Sequence, residues 1–160
     1  MENKWNIKIA RIEDLNKWFK FVKNVIHDFY DIDLVNDESY KKAVEKNIKR
    51  KTVIYVEEKD KIIGGMLFSP NSNQIGWLAV DPDYRRKGIG TLLVKYMLKE
   101  LEDGKEIIVK TFIEEHWQSK ASHPFYKSLG FEPKEISYVN MENNANNPML
   151  IFIRKNIKEE

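Results

Sequence analysis

One run restricts this chain more than any other: Leu78-Ala79-Val80-Asp81-Pro82-Asp83-Tyr84-Arg85-Arg86-Lys87-Gly88-Ile89-Gly90-Thr91-Leu92-Leu93. Its apolar start reads as a strand. Pro82 lacks an N–H and fixes its own φ, so the strand ends at about Asp81. Gly88 and Gly90 carry no Cβ, which lets a ligand approach the backbone closely and makes positive φ accessible. Ile89, Leu92 and Leu93 then open an amphipathic helix. Its first N–H groups have no intrahelical partner, and its dipole puts partial positive charge at that end. A glycine loop on a helix N-terminus is an anion site, with Arg85, Arg86 and Lys87 adding formal charge beside it. A phosphate or pyrophosphate is the anion that fits.

Two familiar phosphate loops are excluded. The P-loop spacing is absent, and Leu93 stands where the dinucleotide fingerprint needs its third glycine. Arg85-Arg86-Lys87-Gly88-Ile89-Gly90 resembles instead the signature of the GNAT N-acetyltransferases: Gln or Arg, two residues, Gly, one residue, then Gly or Ala. The resemblance implies that Arg85, Arg86, Lys87, Gly88, Ile89, Gly90 and Thr91 hold the pyrophosphate of acetyl-CoA as co-substrate. It also implies that the strand before the loop, at Leu78, Ala79 and Val80, pairs its backbone with the pantetheine arm, as an added strand pairs with a sheet edge.

A second segment, Phe125-Tyr126-Lys127-Ser128-Leu129-Gly130-Phe131, is similar to the family's Phe-Tyr-x-x-x-Gly-Phe. The resemblance makes Tyr126 the general acid. A phenol of pKa about 10 can donate to a leaving thiolate whose thiol has a pKa of roughly 8.5. On the residues alone Tyr126 is a core aromatic of a short helix capped by Gly130; its pairing with the glycine loop favours the acid role. Ser119 and Ser122 stand where the family often has Asn and Ala, which leaves Ser119 as a CoA contact. Proline is comfortable only in a first helical turn, so Pro124 implies a late helix start.

The rest of the chain supports the same layout. Trp5, Ile7 and Ile9 alternate as in a strand over Lys4 to Ala10; Leu15, Trp18, Phe19, Val22, Val25, Ile26 and Phe29 recur at helical spacing. Asn36 or Asp37 caps a second helix through Tyr40, Val44 and Ile48. Strands follow at Thr52 to Glu57, Lys61 to Phe68 and Gln74 to Val80, then the loop and its helix as far as Asp103-Gly104. Glu106 to Phe112 is a strand, Pro124 to Gly130 a helix and turn, and Phe131 opens another strand. Asn140 to Asn147 reads as a loop before a last strand, Met149 to Arg154. The expected fold is α+β: a central mixed, mostly antiparallel sheet flanked by helices on both faces, in one domain of residues 1–160. The GNAT family has this element order.

Composition narrows the partners. A net charge of +2 is too small to argue for nucleic acid. The basic run Lys46 to Lys51 ends a solvated helix, where cations suit the dipole. No apolar run reaches membrane-spanning length, and the start lacks a signal-peptide core. The absence of cysteine excludes disulfides, thiolate metal sites and a cysteine nucleophile. A cytoplasmic enzyme is expected, acting on a small-molecule or protein amine, with no nucleic acid or membrane partner and with a homodimer left open.

The amine acceptor must lose a proton before attack. Glu114 and Glu115, with His116 beside them, follow the strand that faces the glycine-loop strand and are the candidate bases; Glu57 and Glu58 are alternatives. His116, His123 and Glu114 make a poor ligand set, and no metal is expected. Asp28, Asp31, Asp33, Asp37 and Glu38 crowd the junction of the first two helices. Asp31 and Asp33 are the candidate contacts to a cationic amine; the plainer reading is caps and solubilising residues. Outside catalysis, the same residues suit a CoA-binding sensor or regulatory module on this fold.

Overall fold

The computed structural model describes residues 5–25, 36–112, 119–141 and 144–155. Along them run β1 (Lys8–Ile9), α1 (Leu15–Val25), α2 (Glu38–Lys49), β2 (Val53–Glu58), β3 (Lys61–Ser69), β4 (Gln74–Val80), α3 (Ile89–Glu100), β5 (Glu106–Phe112), α4 (Ser119–Ser128), β6 (Glu132–Met141) and β7 (Asn144–Lys155). The strands hydrogen-bond in the order β1-β2-β3-β4-β5-β7-β6. β1–β2, β2–β3, β5–β7 and β6–β7 are antiparallel, and β4–β5 is parallel, as a crossover through α3 requires. This is the mixed, mostly antiparallel α+β sheet that the sequence predicts.

The chain divides into two compact units. One holds Met1–Ser69 with Gly76–Glu100, the other Pro70–Ile75 with Leu101–Glu160. In the first, Lys59 and Asp60 both adopt positive φ, 53° and 63°, and close a two-residue turn between paired Glu58 and Lys61. β3 is buried along nearly its whole length, and its two glycines show why. A Cβ on Gly64 would stand 2.5 Å from Ile89 of α3, and one on Gly65 2.5 Å from Trp18 of α1. Successive strand residues face opposite sides, so α1 and α3 cover opposite faces of β3. Trp18, Phe21, Val22 and Val25 of α1 pack with Val44 and Ile48 of α2 against β2 and β3. Asp37 caps α2 by accepting from the amides of Ser39 at 2.8 Å and Tyr40 at 3.2 Å. In the second unit Ile107, Val109, Tyr126, Phe131 and Phe152 are buried. Among the described residues, no helix is long and apolar enough to cross a membrane.

Four local expectations change. β1 is only two residues long and Ile9 is 42% exposed, because the strand lies at the sheet edge, where among the described residues it pairs with β2 alone. α1 is preceded by a 3-10 turn at Ile12–Asp14, and buries Phe21, which the sequence pattern passes over. α4 begins at Ser119 and runs through Pro124 instead of starting late. The missing Pro124 N–H would bond the Lys120 carbonyl, and both residues lie on the exposed face of the helix, where losing that bond costs less than it would in the core. The described residues of the Asn-rich segment, 140–141 and 144–147, are strand. Val139 pairs with Asn147 and Met141 with Asn144, so pairing with a long neighbour outweighs weak β propensity.

Candidate functional site

Asp81 follows the last residue of β4 and caps a 3-10 turn, Pro82–Tyr84. Its carboxylate, 1% exposed as a residue, accepts from the Asp83 amide at 2.9 Å and from Asn24 Nδ2 at 2.7 Å. Beyond the turn the chain reverses hand. Arg85 is extended at φ −70°, ψ 158°, Arg86 lies at φ 62°, and Gly88 lies at φ 84°. At Gly88 this conformation suits a residue without Cβ. Apart from its two chain neighbours, no described residue has a heavy atom within 4 Å of where a Gly88 Cβ would stand, so the backbone there is open to a ligand.

The Gly88 carbonyl accepts the first bond of α3, from the Leu92 amide at 3.0 Å. The amides of Ile89, Gly90 and Thr91 precede that bond and have no intrahelical acceptor. Ile89 is buried against Gly64 and anchors the helix start, while Arg85, Arg86, Lys87 and Gly88 are exposed. Lys87 Nζ lies 5.5 Å from the centre of the Tyr84 ring, which meets Trp5 edge-on at 6.2 Å. Open backbone amides, a helix dipole and three cations within one turn make an anion cradle.

The β4 backbone carries a second feature. Its ladder to β5 covers Gln74 and Ile75, and Leu78 and Val80 lie further along the strand. The Asp81 amide donates to the Ile63 carbonyl of β3 at 2.8 Å. By alternation, the amide and carbonyl of Val80, and of Leu78 two residues back, point to the other edge. Arg85 Nε reaches the Val80 carbonyl at 3.3 Å. Ala79 is buried against the core, so its side chain packs.

A scan against protein-family models matches residues 49–133 to the acetyltransferase (GNAT) domain. The chain belongs to the GNAT acetyltransferase family. A curated relative, the ribosomal protein bS18-alanine N-acetyltransferase of Escherichia coli K12, is 37% identical over 59 residues, 37% of this chain and 38% of its own length. The chain thus aligns with little more than a third of that relative. A GNAT-family acetyltransferase from Bacillus cereus superposes with TM-score 0.71 at 21% identity, covering 96% of this chain and 99% of that one. The PaiA N-acetyltransferase of Thermoplasma acidophilum, solved with coenzyme A, gives 0.66 at 17% identity over 95% and 99%. At such identities the likeness is one of fold.

GNAT enzymes use acetyl-CoA, and the cradle before α3 fits its pyrophosphate in charge, amide supply and open approach at Gly88. In the second unit Tyr126 lies on α4, 7% exposed, with ring centres 5.1 Å from Phe125, 5.7 Å from Phe131 and 6.2 Å from Phe152. Burial pushes its hydroxyl well above the ordinary phenol range, so it stays protonated. The segment around it ends a helix. The Phe131 amide donates to the Tyr126 carbonyl at 3.0 Å, and the Gly130 amide to that of Lys127 at 3.0 Å. With Gly130 at φ 88° these bonds form a Schellman cap, and Phe131 packing on Tyr126 completes it.

Of the other candidates, Ser119 is the first residue of α4. Glu114, Glu115, His116, Asp28, Asp31 and Asp33 lie outside the described residues. Asp37 is a helix cap and Glu38 opens α2. Glu57 does not suit a base: Lys17 at 2.8 Å and Lys8 hold its carboxylate, and these bonds lower its pKa. Glu58 accepts from the Tyr84 hydroxyl. His123 is buried with its ring centre 5.0 Å from that of Phe152. The sequence reading missed Asp81 as a buried carboxylate; an Asp before a Pro, a turn starter, was the available signal.

Proposed function

We propose that this chain, as a single domain of residues 1–160, is an acetyl-CoA-dependent N-acetyltransferase working by direct transfer in the cytoplasm. The observation that carries this is the loop before α3, with Gly88 at φ 84° and open space over its backbone. Acetyl-CoA supplies an activated acetyl thioester. The amides of Gly88, Ile89, Gly90 and Thr91 hold its pyrophosphate with help from Arg85, Arg86 and Lys87, and Leu78 and Val80 pair with the pantetheine amides. Ser119 is assigned a further CoA contact. Glu114 or Glu115 takes the ammonium proton, and the freed nitrogen bonds to the acetyl carbon as the C–S bond breaks; Tyr126 gives its proton to the sulfur, and the second proton that nitrogen sheds as the amide forms returns to the Tyr126 phenolate.

The acceptor is an amine. Asp31 and Asp33 suit a small cationic one, whereas the name of the bS18-alanine N-acetyltransferase relative supports a protein amine. Acetyl-CoA turnover, followed by thiol release over polyamines, amino sugars, basic amino-acid derivatives and peptides with free N-termini, tests the reading. Amine-dependent release supports transfer. Binding of acetyl-CoA without release on any amine favours a sensor module instead. The packing of Tyr126 on Phe125, Phe131 and Phe152 gives that second reading its footing, since a place in the core accounts for the aromatic ring without catalysis.

A further inference from the structure

The reaction above gives no part to the Asp81 carboxylate, although its side chain is only 2% exposed. Leaving a charge buried is costly unless it is paired, and every group of Asp81 is committed. Oδ1 accepts from the Asp83 amide at 2.9 Å. Oδ2 accepts from Asn24 Nδ2 at 2.7 Å and lies 3.2 Å from Lys61 Nζ. The backbone amide donates to Ile63 and the carbonyl accepts from Tyr84, each at 2.8 Å. One residue therefore joins the penultimate residue of α1, the start and body of β3, and the turn that delivers Arg85, Arg86 and Gly88.

We propose that Asp81 is a positioning residue for the anion loop. Its carboxylate clamps the turn Pro82–Tyr84 to α1 and β3, so the amides before α3 are aimed before an anion arrives. Pre-aimed groups lose less freedom on binding, which tightens it. The inference rests on the reading of the loop as the CoA site. Asn24 is the accessible leg of the clamp: it is exposed on α1, yet its amide reaches a buried carboxylate.

A charge-swap cycle tests it. Asp81→Asn keeps an acceptor for the Asp83 amide, but turns an amide donor toward the Asn24 donor and deprives Lys61 of its partner. Asn24→Asp sets two carboxylates together. The double variant rebuilds the bond with reversed polarity and returns a negative charge beside Lys61. Calorimetric titration with coenzyme A should show each single change weakening binding about tenfold, with the double variant recovering to within about threefold of wild type. Turnover at saturating acetyl-CoA, on the best amine of the panel, should move far less than affinity.

Wild-type affinity in Asp81→Asn, or a double variant as weak as Asp81→Asn, overturns the proposal. So does a fall in turnover as large as the loss of affinity. If Asp81→Asn does not fold, Asn24→Asp decides alone, and unchanged affinity there overturns the clamp. Failure of the wild type to bind coenzyme A would instead remove the reading of the loop.

Discussion

Buried Tyr126 and half-buried Tyr40 both carry hydroxyls whose pKa is raised, chiefly by desolvation. The sign of the effect on stability is fixed. The unfolded chain loses the phenol proton near pH 10, while the folded chain keeps it, so the unfolded state binds fewer protons above that point. Stability from these groups is full below about pH 10 and is lost as pH rises further. Thermal melts from pH 9 upward should therefore show a falling midpoint, and Tyr126→Phe should flatten the slope; an unchanged slope would contradict the burial. The same proton is the one assigned to the leaving sulfur. Tyr126→Phe should lower turnover by roughly 10²-fold with coenzyme A affinity nearly kept. Wild-type turnover would leave Tyr126 only its place in the α4 cap.

At the scale of elements, the cap makes a prediction of its own. Gly130 stands at φ 88°, and a Cβ there would meet Arg154 Nε at 3.1 Å. Gly130→Ala should cost about 1 kcal/mol or more, read as a lower denaturation midpoint with an unchanged denaturant slope. The Phe-Tyr-x-x-x-Gly-Phe pattern is thus legible twice, as a family motif and as a helix end. Elements with local signals were legible to within a residue or so. β4 and β5 follow the sequence reading, the Asp37 cap fixes α2, and polar Lys59-Asp60 fixes the β2–β3 turn. Where the decision belongs to a neighbour, the sequence falls short. Phe21 is buried because β3 offers Gly65 beside it. Asn144 and Asn147 are in a strand because β6 pairs with them. Pro124 sits inside α4 because the face it interrupts is solvated.

For the molecule as a whole, the glycine loop was the most legible feature, because its chemistry is backbone chemistry. Two glycines, a proline and a following apolar stripe dictate open amides on a helix end, whatever the side chains around them. The Asp81 clamp was not legible, since Asn24, Lys61 and Asp81 meet only once α1 and β3 are in place. The anion cradle is the part on which the proposed activity rests. Gly88→Asp addresses it at a modest cost to the fold: φ 84° strains any side chain, but nothing beyond the chain neighbours crowds the new Cβ, and Asp tolerates positive φ better than most residues. The added carboxylate would stand where the pyrophosphate is proposed to bind. Calorimetric titration with coenzyme A should give saturable binding to the wild type and none to Gly88→Asp at a similar melting midpoint. Equal affinity in the two proteins would contradict the assignment of the loop.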